Sequence, residues 1–236
     1  MGCKNSRGQP KLVPMSVKLE QERIAEKKRI PAKNEADHKL LIDKKTALLK
    51  NILEKKQAKE KKLAAKKNTE ENAKKVAATM DFDCIPKHYA LVLKENGDLK
   101  QLIIGLDFVT DPPIDMMALM KVLPEYAPAI TNVLINMMTP SERSSQEVYQ
   151  QRVENMKKVM EILNSFPLTE LNILVHIDDH DSFQQLKLAA AVNGLVFQDW
   201  TMDYRVLGCS DFYPIKRNTS YSRRLRGVYR TEFGAH

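Results

Sequence analysis

The sequence predicts an α/β or α+β fold: a small mixed sheet of about five strands with packed helices, preceded by a long Lys-rich helical N-terminal extension. Two observations predict it. Apolar runs of strand length recur between residues 88 and 206, and helix-spaced apolar residues fill the gaps between the later runs. Ahead of them, residues 16–80 are built largely from Lys, Glu, Ala and Leu, and no glycine occurs between Gly8 and Gly97. The resulting order, β-β-α-β-α-β-α-β, is what a compact sheet with helices packed on it produces.

The elements follow in turn. Residues 1–15 contain Pro10 and Pro14 and show no periodicity, so a flexible leader is expected. Ser16 suits an N-cap. An interior proline removes a helical hydrogen bond and crowds the preceding turn. Pro31 is therefore expected to divide the arm into a short helix ending near Arg29 and a second starting near Asn34. In the second, Leu41, Leu48 and Ile52 lie near one face, continued weakly by Leu63. That stripe is too short for an autonomous coiled coil, which leaves a solvated helix.

The body begins near Asp83. Residues 88–93 and 99–106 read as strands joined around Asn96-Gly97, a strong hairpin signal. Asp111-Pro112-Pro113 marks a turn, and residues 114–123 form a Met-rich helix. Ile130, Thr131, Val133 and Ile135 assign 129–137 to a strand. Thr139-Pro140-Ser141-Glu142 has the residues of a helix start, with Thr as N-cap, Pro at N1 and Glu at N3. The helix it opens places Met156, Val159, Met160 and Leu163 on one face. Residues 171–177 are almost continuously apolar, as in a central buried strand. Asp181, with Gln184 three residues on, is expected to cap a helix that stops at a left-handed Gly194. From residue 200, apolar Trp200, Met202, Tyr204 and Val206 alternate with Thr201, Asp203 and Arg205, the pattern of a half-buried strand.

Charge divides the 236 residues further. Residues 1–80 hold 22 Lys+Arg against 10 Asp+Glu; residues 81–215 hold 10 against 19; residues 216–236 hold 6 against 1. The organisation expected is a leader with an acylation motif (1–15), a basic helical arm (16–80), an acidic α/β domain (81–215) and a basic Arg/Tyr tail (216–236). Cys3, Cys84 and Cys209 are too dispersed for a disulfide framework and form no CxxC pair, which points to a reducing compartment. There is no secretory apolar region, and no run approaches the ~18 residues of a membrane-spanning helix.

Met1-Gly2-Cys3-Lys4-Asn5-Ser6 fits the pattern for N-myristoylation at Gly2. Cys3 beside it offers a thioester site for palmitate. Lys4, Arg7 and Lys11 add a basic flank, and no acidic residue precedes Glu20. One myristoyl chain binds bilayers only marginally, near ~10⁴ M⁻¹, so a second acyl chain or a polybasic segment is needed for stable residence. This sequence offers a candidate for each, Cys3 and the basic residues that follow it.

The tail carries Arg217, Arg223, Arg224, Arg226 and Arg230 with Tyr213, Tyr221 and Tyr229 interleaved. Guanidinium forks suit phosphate, and aromatic faces can stack on bases. Leu225, Val228 and Phe233 also predict packing of the tail on the body, where its charge would offset acidic residues. The densest group of metal-ligand types is His176, Asp178 and His180, at the end of a strand where α/β folds place sites. An acidic strand-to-helix turn accounts for the same residues, and no metal is expected. No nucleophile elbow, Walker loop, dinucleotide fingerprint or HExxH occurs, so no catalytic residue or cofactor is assigned.

These readings converge on a lipid-anchored interaction or scaffold protein on the cytoplasmic face of a membrane. Its expected partners are anionic lipid and another protein. The second reading is a soluble RNA-associated protein of the cytosol or nucleus, gripping phosphate through the arm and tail. It stands behind the first because residues 16–80 lack Phe, Tyr and Trp altogether.

Overall fold

Six strands form one mixed sheet, hydrogen-bonded in chain order: β1 (Leu91–Asn96), β2 (Leu99–Asp107), β3 (Asn132–Met138), β4 (Glu170–Ile177), β5 (Thr201–Val206) and β6 (Tyr213–Pro214). A computed structural model describes residues 15–96, 99–140, 145–180 and 182–234, the side chains of 15–19, 21, 24–38, 40, 41, 96 and 99 excepted. β1 runs antiparallel to β2, and β6 antiparallel to β5. β2 to β5 are mutually parallel. The β1–β2 ladder closes at Asn96↔Leu99; Gly97 and Asp98, the expected turn, lie outside the described residues.

Among the described residues five α-helices accompany the sheet: α1 (Met15–Thr79), α2 (Met116–Val122), α3 (Gln146–Leu163), α4 (Phe183–Leu186) and α5 (Ser220–Glu232). The fold is therefore mixed α/β with a long N-terminal helix. The sheet has one strand more than the five expected, because β6 is too short for any periodicity to register.

Contacts divide the chain into two units, Met1–Lys62 and Leu63–His236. α1 is a single helix of 65 residues, and Pro31 does not break it. One missing hydrogen bond costs a helix this long only a local irregularity, since propagation resumes on either side. Every described side chain from Ile42 to Asn68 is exposed, Leu48, Ile52 and Leu63 included. Leu41's side chain lies outside the described set.

In the second unit, the strict period of two along each strand separates the faces of the sheet. Ile104, Ile135, Ile173 and Met202 stand side by side on one face, with Leu102, Val133 and Leu171 before them and Leu106, Met137 and Val175 after. All ten are buried. Three crossovers connect parallel neighbours in chain order, and right-handed connections of that kind return on the same side. Accordingly α2, α3 and the segment 183–194 pack next to one another. α3 contributes Val153, Met156, Val159, Met160 and Leu163 to the core, as its apolar stripe predicts.

The helix starts differ from expectation in two places. α3 begins at Gln146 with Ser145 as N-cap, its hydroxyl accepting from the Val148 amide. Thr139 is buried and its hydroxyl donates 2.6 Å to the Gln185 carbonyl, so it ties two segments together instead of capping a helix. Of the expected cap, residues 141–144 lie outside the described residues.

The segment expected as one helix up to Gly194 is a single α turn, α4, followed by a 3₁₀ helix at Lys187–Gly194; its expected cap, Asp181, is outside the described residues. Leu188, Ala189, Ala190, Ala191 and Val192 are all buried there, packed between α3 and α5. A 3₁₀ helix rises about 2.0 Å per residue and is narrower than an α-helix. Small side chains on that thin rod let both neighbours approach.

Gly194 is not left-handed; the positive-φ glycines among the described residues are Gly208 and Gly234. What requires glycine at 194 is Tyr229, whose hydroxyl oxygen lies 2.7 Å from where a Cβ would stand. α5 is thereby seated on the 3₁₀ segment. Leu225 and Phe233 are buried, Tyr229 stacks on Phe233, and Glu232 pairs with Lys187 at 3.4 Å while accepting a short hydrogen bond from the Tyr149 hydroxyl. Burial and the neighbouring Glu232 carboxylate together push the Tyr149 phenol well above its ordinary value.

Replacing Ile135 by Ala should cost about 3–5 kcal/mol in urea unfolding, because the cavity opens between Ile104 and Ile173. Leu134→Ala, one residue away on the other face, should cost less than half of that. Gly194→Ala should cost about 1–3 kcal/mol by overpacking. Combining it with Tyr229→Ala should recover most of the added loss; strictly additive losses would show that the close approach is not why glycine is there.

Candidate functional site

The sheet face opposite the crossover helices carries two kinds of polar residue. Toward the N-terminal ends of the parallel strands they satisfy one another. Gln101 Nε2 donates to Asn132 Oδ1 at 3.1 Å, and Asn132 Nδ2 to Glu170 Oε2 at 3.0 Å. Asn172 Nδ2 donates to Glu170 Oε1 at 2.9 Å, and Thr201 Oγ1 to Asn172 Oδ1 at 2.5 Å. This ladder crosses β2, β3, β4 and β5.

Toward the C-terminal ends the groups are less completely paired. Register places Gly105, Asn136, Leu174 and Asp203 in one row and Asp107, Met138, His176 and Arg205 in the next. A cleft of about 430 Å³ opens over these rows, bounded by Tyr89, Asp107, Asn136, Met138 and His176. A second cleft of about 350 Å³ shares Met138 and His176 and reaches Thr139, Asp178 and Gln185. His176 stands between them, at the carboxyl edge where open α/β sheets bind ligands.

Each member of the edge has a definable state. Asn136 Oδ1 is enclosed and has no hydrogen-bond partner among the described residues. An enclosed acceptor without a donor costs roughly 1–3 kcal/mol, which a ligand bearing an N–H or O–H would recover. Burial, then the positive charge of Arg205 on the neighbouring strand, hold the His176 imidazole below its ordinary value. Burial alone would raise Asp107, but the Thr110 hydroxyl and the Val109 and Thr110 amides donate to it, and the net effect holds it below the ordinary carboxylate range.

Gln185, buried, clamps the ends of β3 and β4. Its Nε2 donates to the Thr139 carbonyl at 2.7 Å, and its Oε1 accepts from the Asp178 amide at 2.9 Å. Both threonine hydroxyls bordering the clefts are engaged, Thr110 with Asp107 and Thr139 with Gln185. The edge is equipped to hold a small polar ligand by hydrogen bonds.

The three metal-ligand candidates are not brought together. His176 lies on the open face, and the Asp178 carboxylate accepts from Gln185 Nε2 at 3.3 Å. His180 sits edge-on to Tyr213 at 4.7 Å and bonds the Tyr204 hydroxyl at 3.4 Å. Among the described residues no three His, Cys, Asp or Glu side chains converge in a metal-binding group.

The tail arginines are all exposed but fall into distinct settings. Arg224 lies 3.7 Å over the Phe183 ring, and Arg217 lies 5.6 Å over Trp200. Arg223 and Arg230 follow helical spacing on the side of α5 away from buried Leu225. Arg217 and Arg226 also border a cavity of about 210 Å³ with Trp200. The interleaved tyrosines are in ring contacts: Tyr213 stacks on Tyr204, Tyr221 lies against Tyr204 and Phe183, and Tyr229 stacks on Phe233. Gly2, Cys3, Lys4, Arg7 and Lys11 lie outside the described residues.

Asn136, Asp107 and Gln185 were not legible as site residues, because they come from different elements. The signal available was an asparagine in the middle of an apolar strand. Comparison with protein-family models, curated proteins and solved structures returns no match.

Titrating the imidazoles by NMR should give His176 a midpoint below the ordinary 6.5, and Arg205→Gln should raise it. Between the lowered folded midpoint and 6.5 the unfolded chain binds the proton more tightly, so His176 makes stability fall as pH drops through that window. An unchanged midpoint in Arg205→Gln would show that the Arg205 charge contributes nothing there.

Proposed function

We propose that this protein is a lipid-anchored interaction protein on the cytoplasmic face of a membrane, with acylated Gly2 and Cys3 as anchor and the α/β domain as the partner-binding part. The observation that carries the reading is the opening hexapeptide, followed by 13 further residues without an acidic side chain before Glu20. Lys4, Arg7, Lys11 and the Lys-rich α1 supply the second signal that a single myristoyl chain needs; each basic residue held near an anionic leaflet contributes about 1 kcal/mol. The solvated surface of α1 from Ile42 to Asn68 suits a spacer or an arm lying along lipid headgroups. Arg223 and Arg230 on the outer side of α5 add a second basic surface. No helix among the described residues is long and apolar enough to cross a membrane.

The acidic domain, repelled by an anionic leaflet, is then held away from it. The clefts beside His176 are the place for a polar group of the partner. The RNA-associated alternative has less support, since Tyr213, Tyr221 and Tyr229 are already in ring contacts.

In cells fed a myristate analogue, the wild-type protein should be labelled and should sediment with membranes; Gly2→Ala should lose both. Cys3→Ser should keep the label and shift most of the protein to the soluble fraction. Label that persists in Gly2→Ala, or none on wild type, would sink the proposal.

A further inference from the structure

We infer that the cavity between β5, β6 and α5 is a binding site for a phosphomonoester carried on a small organic body. It measures about 210 Å³ and is bordered by Trp200, Arg217, Asn218 and Arg226, with Met202, Ile215 and Leu225 as its apolar part. No carboxylate borders it. Two guanidinium groups border this one small space, so an anion within it would meet charge-assisted donors from two elements. Among the described residues neither arginine forms an ion pair: the Arg217 guanidinium lies over the Trp200 ring, and Arg226 only borders the cavity.

The indole ring forms part of the wall, with the Arg217 guanidinium over its face. Trp200 Nε1 is enclosed and has no hydrogen-bond acceptor among the described residues. An indole nitrogen can only donate, so the missing partner has to be an acceptor. Two planar five-donor forks match a group with several acceptor oxygens around one centre, as phosphate has. Of the other polar neighbours, Ser222 already donates its hydroxyl to the Thr219 carbonyl at 3.1 Å. Met202, Ile215 and Leu225 leave room for an apolar part of the ligand and argue against a bare inorganic ion as the intended occupant.

This deepens the reading of the tail as a phosphate-facing surface and rests on it, but it is independent of acylation. Purified Gly2→Ala protein therefore serves as the test material. Trp200 is the single tryptophan of the chain, so its emission reports on the cavity directly. Emission should change saturably on titration with inositol trisphosphate and, more weakly, with inorganic phosphate. Arg226→Ala should weaken inositol trisphosphate binding about tenfold or more, Arg226→Lys by less, and Arg223→Ala by no more than about twofold.

Phosphatidylcholine vesicles with a few mole per cent of phosphatidylinositol bisphosphate separate the two sources. Tighter binding to these than to inositol trisphosphate, with no binding to plain vesicles, assigns a lipid headgroup; equal or weaker binding assigns a soluble phosphorylated metabolite. Absence of any emission change with all of these probes at millimolar phosphate overturns the inference. So does equal affinity of Arg226→Ala and the parent protein, given unchanged far-UV circular dichroism.

Discussion

β2, β3, β4 and β5 pair in chain order, each parallel to the one before, and a right-handed crossover between such neighbours returns on the same side every time. That constraint determines much else in the second unit. The strands must be amphipathic, since one face receives every crossover and the other receives none of them. The crossover segments must lie side by side, which explains why α3 and α5 both press on 187–194 and why that segment is alanine-rich and thin. Had the connections reversed direction midway, helices would cover both faces and the polar residues of the open one would have no place.

The open face resolves the resulting problem in two ways. Gln101, Asn132, Glu170, Asn172 and Thr201 close a hydrogen-bonded ladder among themselves, so the N-terminal half of the face is self-sufficient. The C-terminal half retains Asn136 Oδ1 without a donor and His176 held toward its neutral form. On the open face the unpaired acceptor thus lies at the C-terminal edge of the sheet, while Thr131 Oγ1, just before β3, is enclosed without a partner among the described residues. The second concentration of unmet capacity, at Trp200, lies where α5 closes against β5 and β6. Both arise at places where a neighbouring element supplies bulk but no matching polar group.

Elements whose cause is local were legible in the sequence. The strands around Leu102, Ile135, Ile173 and Met202 announce themselves by periodicity, and so does the buried stripe of α3. The errors came where a distant residue decides. Thr139 has the look of a helix cap, yet Gln185, 46 residues on, claims its hydroxyl. Gly194 has the look of a left-handed stop, yet Tyr229 is what excludes a side chain there. Pro31 has the look of a break, yet a helix as long as α1 tolerates a gap that a short one does not. His176 stands out in the sequence beside Asp178 and His180, whereas Met138 and Arg205 are contributed by other strands and only register brings them to it.

The flanks of the sheet carry a further consequence. A sheet is open to addition of a foreign strand wherever an edge is long and flat. Here one margin is β6, two residues ending in Pro214, which has no amide hydrogen to offer; the other is β1, with charged Lys94 and Glu95 exposed along it. Neither margin invites strand-by-strand growth. A domain tethered to a bilayer as proposed meets its own copies at two-dimensional crowding far above its bulk concentration. Blunted margins would let such a layer stay fluid, each copy free to exchange partners without zipping to the next.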